Sequence, residues 1–135
     1  MDNVRPLTRD TPADEDGPTR TPPADAAAER ALLARCIHTP AEYHEAAELI
    51  TGEDFYHPAH RLLWDVIGHQ LAETKPVDPI SLRAAIEKLG QLRLVNNGVL
   101  IFEISGEWGP GSATHYAELI HAKTRLRRLD DLAIR

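Results

Sequence analysis

The sequence holds a single cysteine, Cys36, so no internal disulfide can form, and a reducing compartment is the simplest setting for the chain. Cys36 stands among Leu32, Leu33 and Ile37, where a thiol packs as a small apolar side chain rather than acting as a nucleophile. No run approaches the ~18 consecutive apolar residues that a membrane span needs. The N-terminus lacks the apolar core of a signal peptide, so a cytoplasmic location is expected. Positive charge is in deficit: the formal net charge is -6, which argues against wholesale coating of nucleic acid but leaves room for a local basic face.

Catalytic constellations are missing as well. Ser81, Ser105 and Ser112 lie outside any strained G-x-S-x-G turn. Nothing matches G-x-x-x-x-G-K-[ST], and the glycine cluster Gly106 to Gly111 has neither a lysine nor a preceding strand. Nucleotide binding through a P-loop is therefore excluded, and no cofactor is expected. The stretch "DFYHPAHRLLW" brings His57 and His60 together at i and i+3, with Glu53, Asp54 and Asp65 nearby. A catalytic zinc site needs three placed ligands, commonly with an i, i+4 histidine pair, and this spacing does not supply them. His57 also precedes Pro58, which sets it at a helix boundary, so no metal is expected.

What is present is a helical pattern. A chain of 135 residues with 42% hydrophobic content supports one folded domain. Residues 1–23 are rich in Pro, Thr, Asp and Arg, with Val4 and Leu7 isolated; such a segment cannot offset its ordering entropy by burial and is expected to be a disordered tail. Residues 24–135 form the domain. Asp25 is a natural N-cap for a first helix whose Ala28, Leu32, Leu33, Cys36 and Ile37 share one face, and Thr39-Pro40 stops it. "AEYHEAAELI" suits a short second helix with Tyr43, Ala46, Ala47 and Ile50 inward. The third runs from Pro58 to Ala72 on Leu62, Leu63, Val66, Ile67 and Leu71. Asp78-Pro79 opens a fourth, with Leu82, Ala85, Ile86 and Leu89 in register and Gly90 as its stop.

"VLIFEIS" favours a strand by residue type, but no second strand stands ready to pair with it, so it is read as a helix. "GEWGPGS" is a break. From Ala113 a long last helix carries Leu119, Ala122, Leu126, Leu129 and Ala133 in a 3-4 alternation, a short seam that suits a helical hairpin, a dimer contact or ordinary packing within the chain. Lys123, Arg125, Arg127 and Arg128 follow closely on this helix, where they complement its dipole and could also meet a phosphate backbone or an acidic partner. The expected fold is all-α, with about six helices.

Four stretches, in order, carry a resemblance. "PPADAAAERALL", "DFYHPAHRLLW", "KPVDPISLRAAIEKLGQL" and "YAELIHAKTRLRRL" together resemble the N-terminal domain of the bacterial replicative DNA helicase family, DnaB. The likeness covers residues 22–135. Asp54, Phe55, Tyr56 and His60 fall on a family signature, for which the resemblance implies a structural role: Phe55 and Tyr56 under the start of the third helix, His60 hydrogen-bonding in its first turn. His57 is outside the signature. The resemblance further implies a helical globule ending in a long helical hairpin. It implies self-association through that hairpin, with Leu119, Ala122, Leu126 and Leu129 as the contact, giving a homo-oligomer that starts from a dimer. Primase, through its helicase-binding domain, or a replicative helicase would be the partner. The family's ATP-driven motor is a separate C-terminal domain, so no enzymatic activity is expected of these residues. A DNA-binding module using Lys123, Arg125, Arg127 and Arg128, or a truncated helicase remnant or regulator, is the alternative. Two departures from the family are visible: Val95-Asn96-Asn97-Gly98 stands where V-G-G is usual, and the loop before the last helix reads "WGPGSAT", a residue shorter than usual and with Trp108 added. Asparagine tolerates the left-handed conformation, so the first turn can survive.

Overall fold

A computed structural model describes residues 21–107 and 109–134. Most of the expected tail, and Trp108 in the expected hairpin loop, lie outside them. Six α-helices follow one another: α1 Ala26–His38, α2 Glu42–Ala47, α3 Pro58–Ala72, α4 Pro79–Lys88, α5 Val99–Ser105 and α6 Ala113–Ile134. Short 3-10 segments occupy Gly52–Asp54 and Leu92–Gly98, and the described residues contain no strand. The all-α class and the helix count agree with the sequence reading.

Local chemistry sets the boundaries. The Asp25 carboxylate accepts the Ala28 N–H at 2.9 Å and so satisfies one of the free donors at the start of α1. Asp78 does the same for α4, accepting the Ser81 N–H at 2.8 Å and the Ser81 hydroxyl at 2.9 Å. Pro58 and Pro79 occupy first-turn positions of α3 and α4, where a missing N–H costs nothing. The apolar run after Gly98 is helical, as α5. Asn96 and Asn97 take left-handed φ values of 52° and 57°, and Gly98 follows at 99°, so the turn survives the departure from the family pattern. The second helix is shorter than its sequence suggests. It ends at Ala47, which faces solvent, while Ile50 is buried from the loop beyond.

The core gathers around α1, which packs on α3, α5 and α6. Leu32, Leu33 and Cys36 are fully enclosed, together with Leu63 and Ile67 of α3, Leu82 and Ile86 of α4, and Ile101 and Ile104 of α5. Burial pushes the Cys36 thiol up to about 12, which keeps it in its inert protonated form. Trp64 stacks between Tyr43, at 4.4 Å between ring centroids, and Phe55, at 5.3 Å.

Among the described residues, Glu29 of α1 is the most deeply buried carboxylate, at 1% exposed. Its carboxylate accepts the Tyr56 N–H at 2.8 Å and the His57 N–H at 3.4 Å, and it pairs with His60 Nδ1 at 2.8 Å. A buried carboxylate needs such a set of donors to offset its desolvation. Glu29 therefore ties the first helix to the start of the third. Of the long hairpin expected at the C-terminal end, the described residues hold one arm, α6, which lies along α1 and α2.

Candidate docking surface on the last helix

α6 has two apolar faces. The inner one, Ala113, Ala117 and Ile120, is buried and continues into the buried Thr124. The outer one carries Leu119, Leu126, Leu129 and Leu132, which are 38%, 45%, 60% and 65% exposed. Of the seam read from the sequence, Leu119, Leu126, Leu129 and Ala133 are exposed and Ala122 is half-buried, while Leu132 falls outside the 3-4 alternation. The inner face, two alanines, Ile120 and a threonine, carries one large apolar residue and is not singled out by the pattern. Exposure rises toward the C-terminal end because α6 runs past the body that covers its first half.

The first half is firmly held. The Glu42 carboxylate accepts the Ala113 N–H at 3.1 Å and takes the Arg35 guanidinium at 3.3 and 2.5 Å. Hydrogen bonding from Arg35 holds the Glu42 carboxyl below the usual glutamate range, with the Ala113 N–H acting in the same direction. Ser112 caps the helix by accepting the His115 N–H at 3.1 Å. Arg30 reaches Glu107 in the preceding loop, with both guanidinium arms on its carboxylate.

At the root of the outgoing half, α6 meets the signature residues. Arg127 donates to the carbonyl of Asp54 at 2.8 Å and to the carbonyl of Pro23 at 2.8 Å, and its guanidinium lies 5.5 Å from the centre of the Tyr56 ring. The Thr124 hydroxyl lies 3.4 Å from the same Asp54 carbonyl. The Asp54 side chain closes a capping box by accepting the Thr51 N–H at 2.9 Å. Phe55 is fully buried against Trp64, Tyr56 is half-buried under Arg127, and His60 is turned to Glu29. The structure therefore brings Asp54, Tyr56 and Arg127 together, an association that no sequence spacing announces.

The basic residues do not act as one patch. Arg127 is turned into the body, Lys123 is half-buried, and Arg125 and Arg128 face solvent between the leucines. His57 and His60 have ring centroids 5.0 Å apart, and His60 Nδ1 is engaged by Glu29. Among the described residues no group of three or more His, Cys, Asp or Glu side chains is placed to hold a metal ion. No described helix is long and apolar enough to cross a membrane. A half-open groove of about 690 Å³ runs between α3 and α4 over Leu62, Val66, Ala85 and Leu89; the sequence reading assigns these positions to the core.

Comparison with known proteins agrees with this architecture. The family model described as the DnaB-like helicase N-terminal domain matches residues 21–122. The replicative DNA helicase DnaB of Leifsonia xyli is 29% identical over 119 residues, and that of Mycobacterium leprae is 29% identical over 117. These matches cover 87% and 86% of this chain but 26% and 19% of the relatives, so the chain spans about a quarter or less of the length of these curated relatives. The crystal structure of the N-terminal domain of DnaB helicase from Mycobacterium tuberculosis superposes with a TM-score of 0.80 at 26% identity, covering 84% of this chain and 80% of that one. With helices, turns and family model in agreement along most of its length, this chain belongs to the DnaB-like helicase N-terminal domain family.

Proposed function

We propose that this domain serves DNA replication as a protein-contact module rather than a catalyst. The outer face of α6 is its self-association surface, and the domains assembled through it dock the helicase-binding domain of primase or a replicative helicase. The observation that carries the reading is the row of exposed leucines from Leu119 to Leu132 on a helix whose other face is already packed. Fully burying an exposed leucine is worth roughly 1.5–3 kcal/mol; these partly exposed side chains forfeit a share of that in water, and a matching ridge on a second copy recovers it. Asp54, Phe55, Tyr56 and His60 support the surface from beneath, fixing where α6 leaves the body. A DNA-contact role for Lys123, Arg125, Arg127 and Arg128 fits less well, because Arg127 is held by two backbone carbonyls.

The test is the mass in solution of the wild-type chain and of Leu126→Asp, read by light scattering across a concentration series. An assembly in the wild type that becomes a monomer in the variant supports the reading. A mass indifferent to Leu126→Asp removes the ridge as the contact. Titration of a primase helicase-binding domain into the wild-type chain tests the docking step separately.

A further inference from the structure

Three side chains one turn apart on α6 converge on a single residue of the body. Thr124 and Arg127 hold the backbone carbonyl of Asp54, while His121 Nδ1 stands 3.7 Å from Asp54 Oδ1. That last pair is open: both atoms are shielded from water, and neither has a hydrogen-bond partner. Asp54 is 7% exposed, and its other carboxylate oxygen is fixed by the Thr51 N–H. Oδ1 is thereby held toward α6. A buried acceptor left unmatched is costly, and a charged donor matches it best.

We propose that His121 and Asp54 form a proton-operated clamp that fixes the outgoing half of α6 to the body of the domain. Protonated, the imidazole donates from Nδ1 to Oδ1, and a closure of about 0.8 Å brings the pair to ordinary hydrogen-bond length. With His121 neutral, its Nδ1–H tautomer can still donate to Oδ1, but as an uncharged and weaker donor, and the helix beyond Ile120 is held at this corner mainly by Thr124 and Arg127. A charged donor on this pair makes the stronger hydrogen bond, so the clamp is tighter with the imidazole protonated.

The other charged groups around His121 are engaged elsewhere or face solvent, which leaves Asp54 as its acceptor. On α6, Glu118 lies one turn before it and Arg125 one turn after, while Arg127 is already occupied by carbonyls. From the 3-10 segment comes Asp54, with Glu53 exposed beside it. On α1, Glu29 is saturated by His60 and two backbone N–H groups, and Asp25 caps its own helix. On α2, Glu42 is engaged by Arg35 and the Ala113 N–H, and Glu45 and Glu48 face solvent.

The clamp concerns the same helix as the proposed association, so its test is made independent of assembly. Amide hydrogen exchange of residues 121–133, corrected for the intrinsic pH dependence of exchange, is followed at about pH 5.5 and about pH 8 in the full chain carrying Leu126→Asp, and again with His121→Asn added. Expected is protection about tenfold greater at the lower pH, with the difference abolished by His121→Asn. An unchanged pH profile in His121→Asn overturns the clamp, whatever the association experiment shows. Asp54→Asn keeps an acceptor for Thr51 and removes the charge; a folded variant that retains the full pH response overturns the proposal equally.

Discussion

At the scale of single residues, the molecule turns on buried polar groups that the sequence disguises as surface. Glu29 falls in a run of alanines and charges, "ADAAAERALL", that reads as an ordinary helix start. Its carboxylate nevertheless sits inside, holding two backbone N–H groups and His60. Replacing it with alanine strands three donors in a dry environment. Glu29→Ala is expected to cost about 3 kcal/mol or more, measured by denaturant unfolding. That His60 hydrogen-bonds in its first turn is implied by the family resemblance. Which residue answers it, 31 positions away, is not legible.

At the scale of elements, caps and turns carry most of the predictable structure. Asp25, Asp78, Pro58 and Pro79 mark helix starts because each satisfies, or does without, a specific backbone donor. The left-handed turn Asn96-Asn97-Gly98 is legible for the same reason. Gly98 has φ 99°, and a Cβ there would lie 2.8 Å from the Arg83 side chain. Gly98→Ala is expected to lower stability by about 1–2 kcal/mol, seen as a shift in the urea midpoint.

The start of α6 makes a pH prediction. Arg35 and the Ala113 N–H favour the ionised form of Glu42 in the folded state, so its contribution is complete above the ordinary glutamate range and is lost as pH falls through its lowered folded value. The difference in melting temperature between wild type and Glu42→Gln should therefore be largest near neutrality and shrink in acid. A constant difference from neutral to acid pH would refute the linkage. Neither Arg35 nor Ala113 can be read as the partner of Glu42 from the chain order, since Ala113 lies 71 residues away.

At the scale of the whole molecule, one helix answers to two neighbours. α6 buries Ala113, Ala117 and Ile120 against α1 and α2 and presents Leu119, Leu126, Leu129 and Leu132 outward. Because Leu126 makes no part of the core, Leu126→Asp should leave the monomer's unfolding midpoint almost unchanged while lowering the mass of the assembly. A drop in stability without a change in mass would place Leu126 in the fold instead of in a contact.

The sequence by itself determined the all-helical class, the helix starts, the stops at Thr39-Pro40 and Gly90, and the family, because these depend on local donors, backbone permissions and periodicity over a few residues. It also marked Leu119, Leu126 and Leu129 of α6, since a 3-4 alternation is a property of one helix. Which face of α6 lies inside was decided only in the tertiary structure. The inner face is mostly small residues around one large one, Ile120, so it leaves no repeating apolar pattern, and Arg127, read from the chain as a free positive charge, is drawn inward by the carbonyls of Pro23 and Asp54, 104 and 73 residues away. Pairings at such separations follow from how helices stack, and no local pattern encodes them.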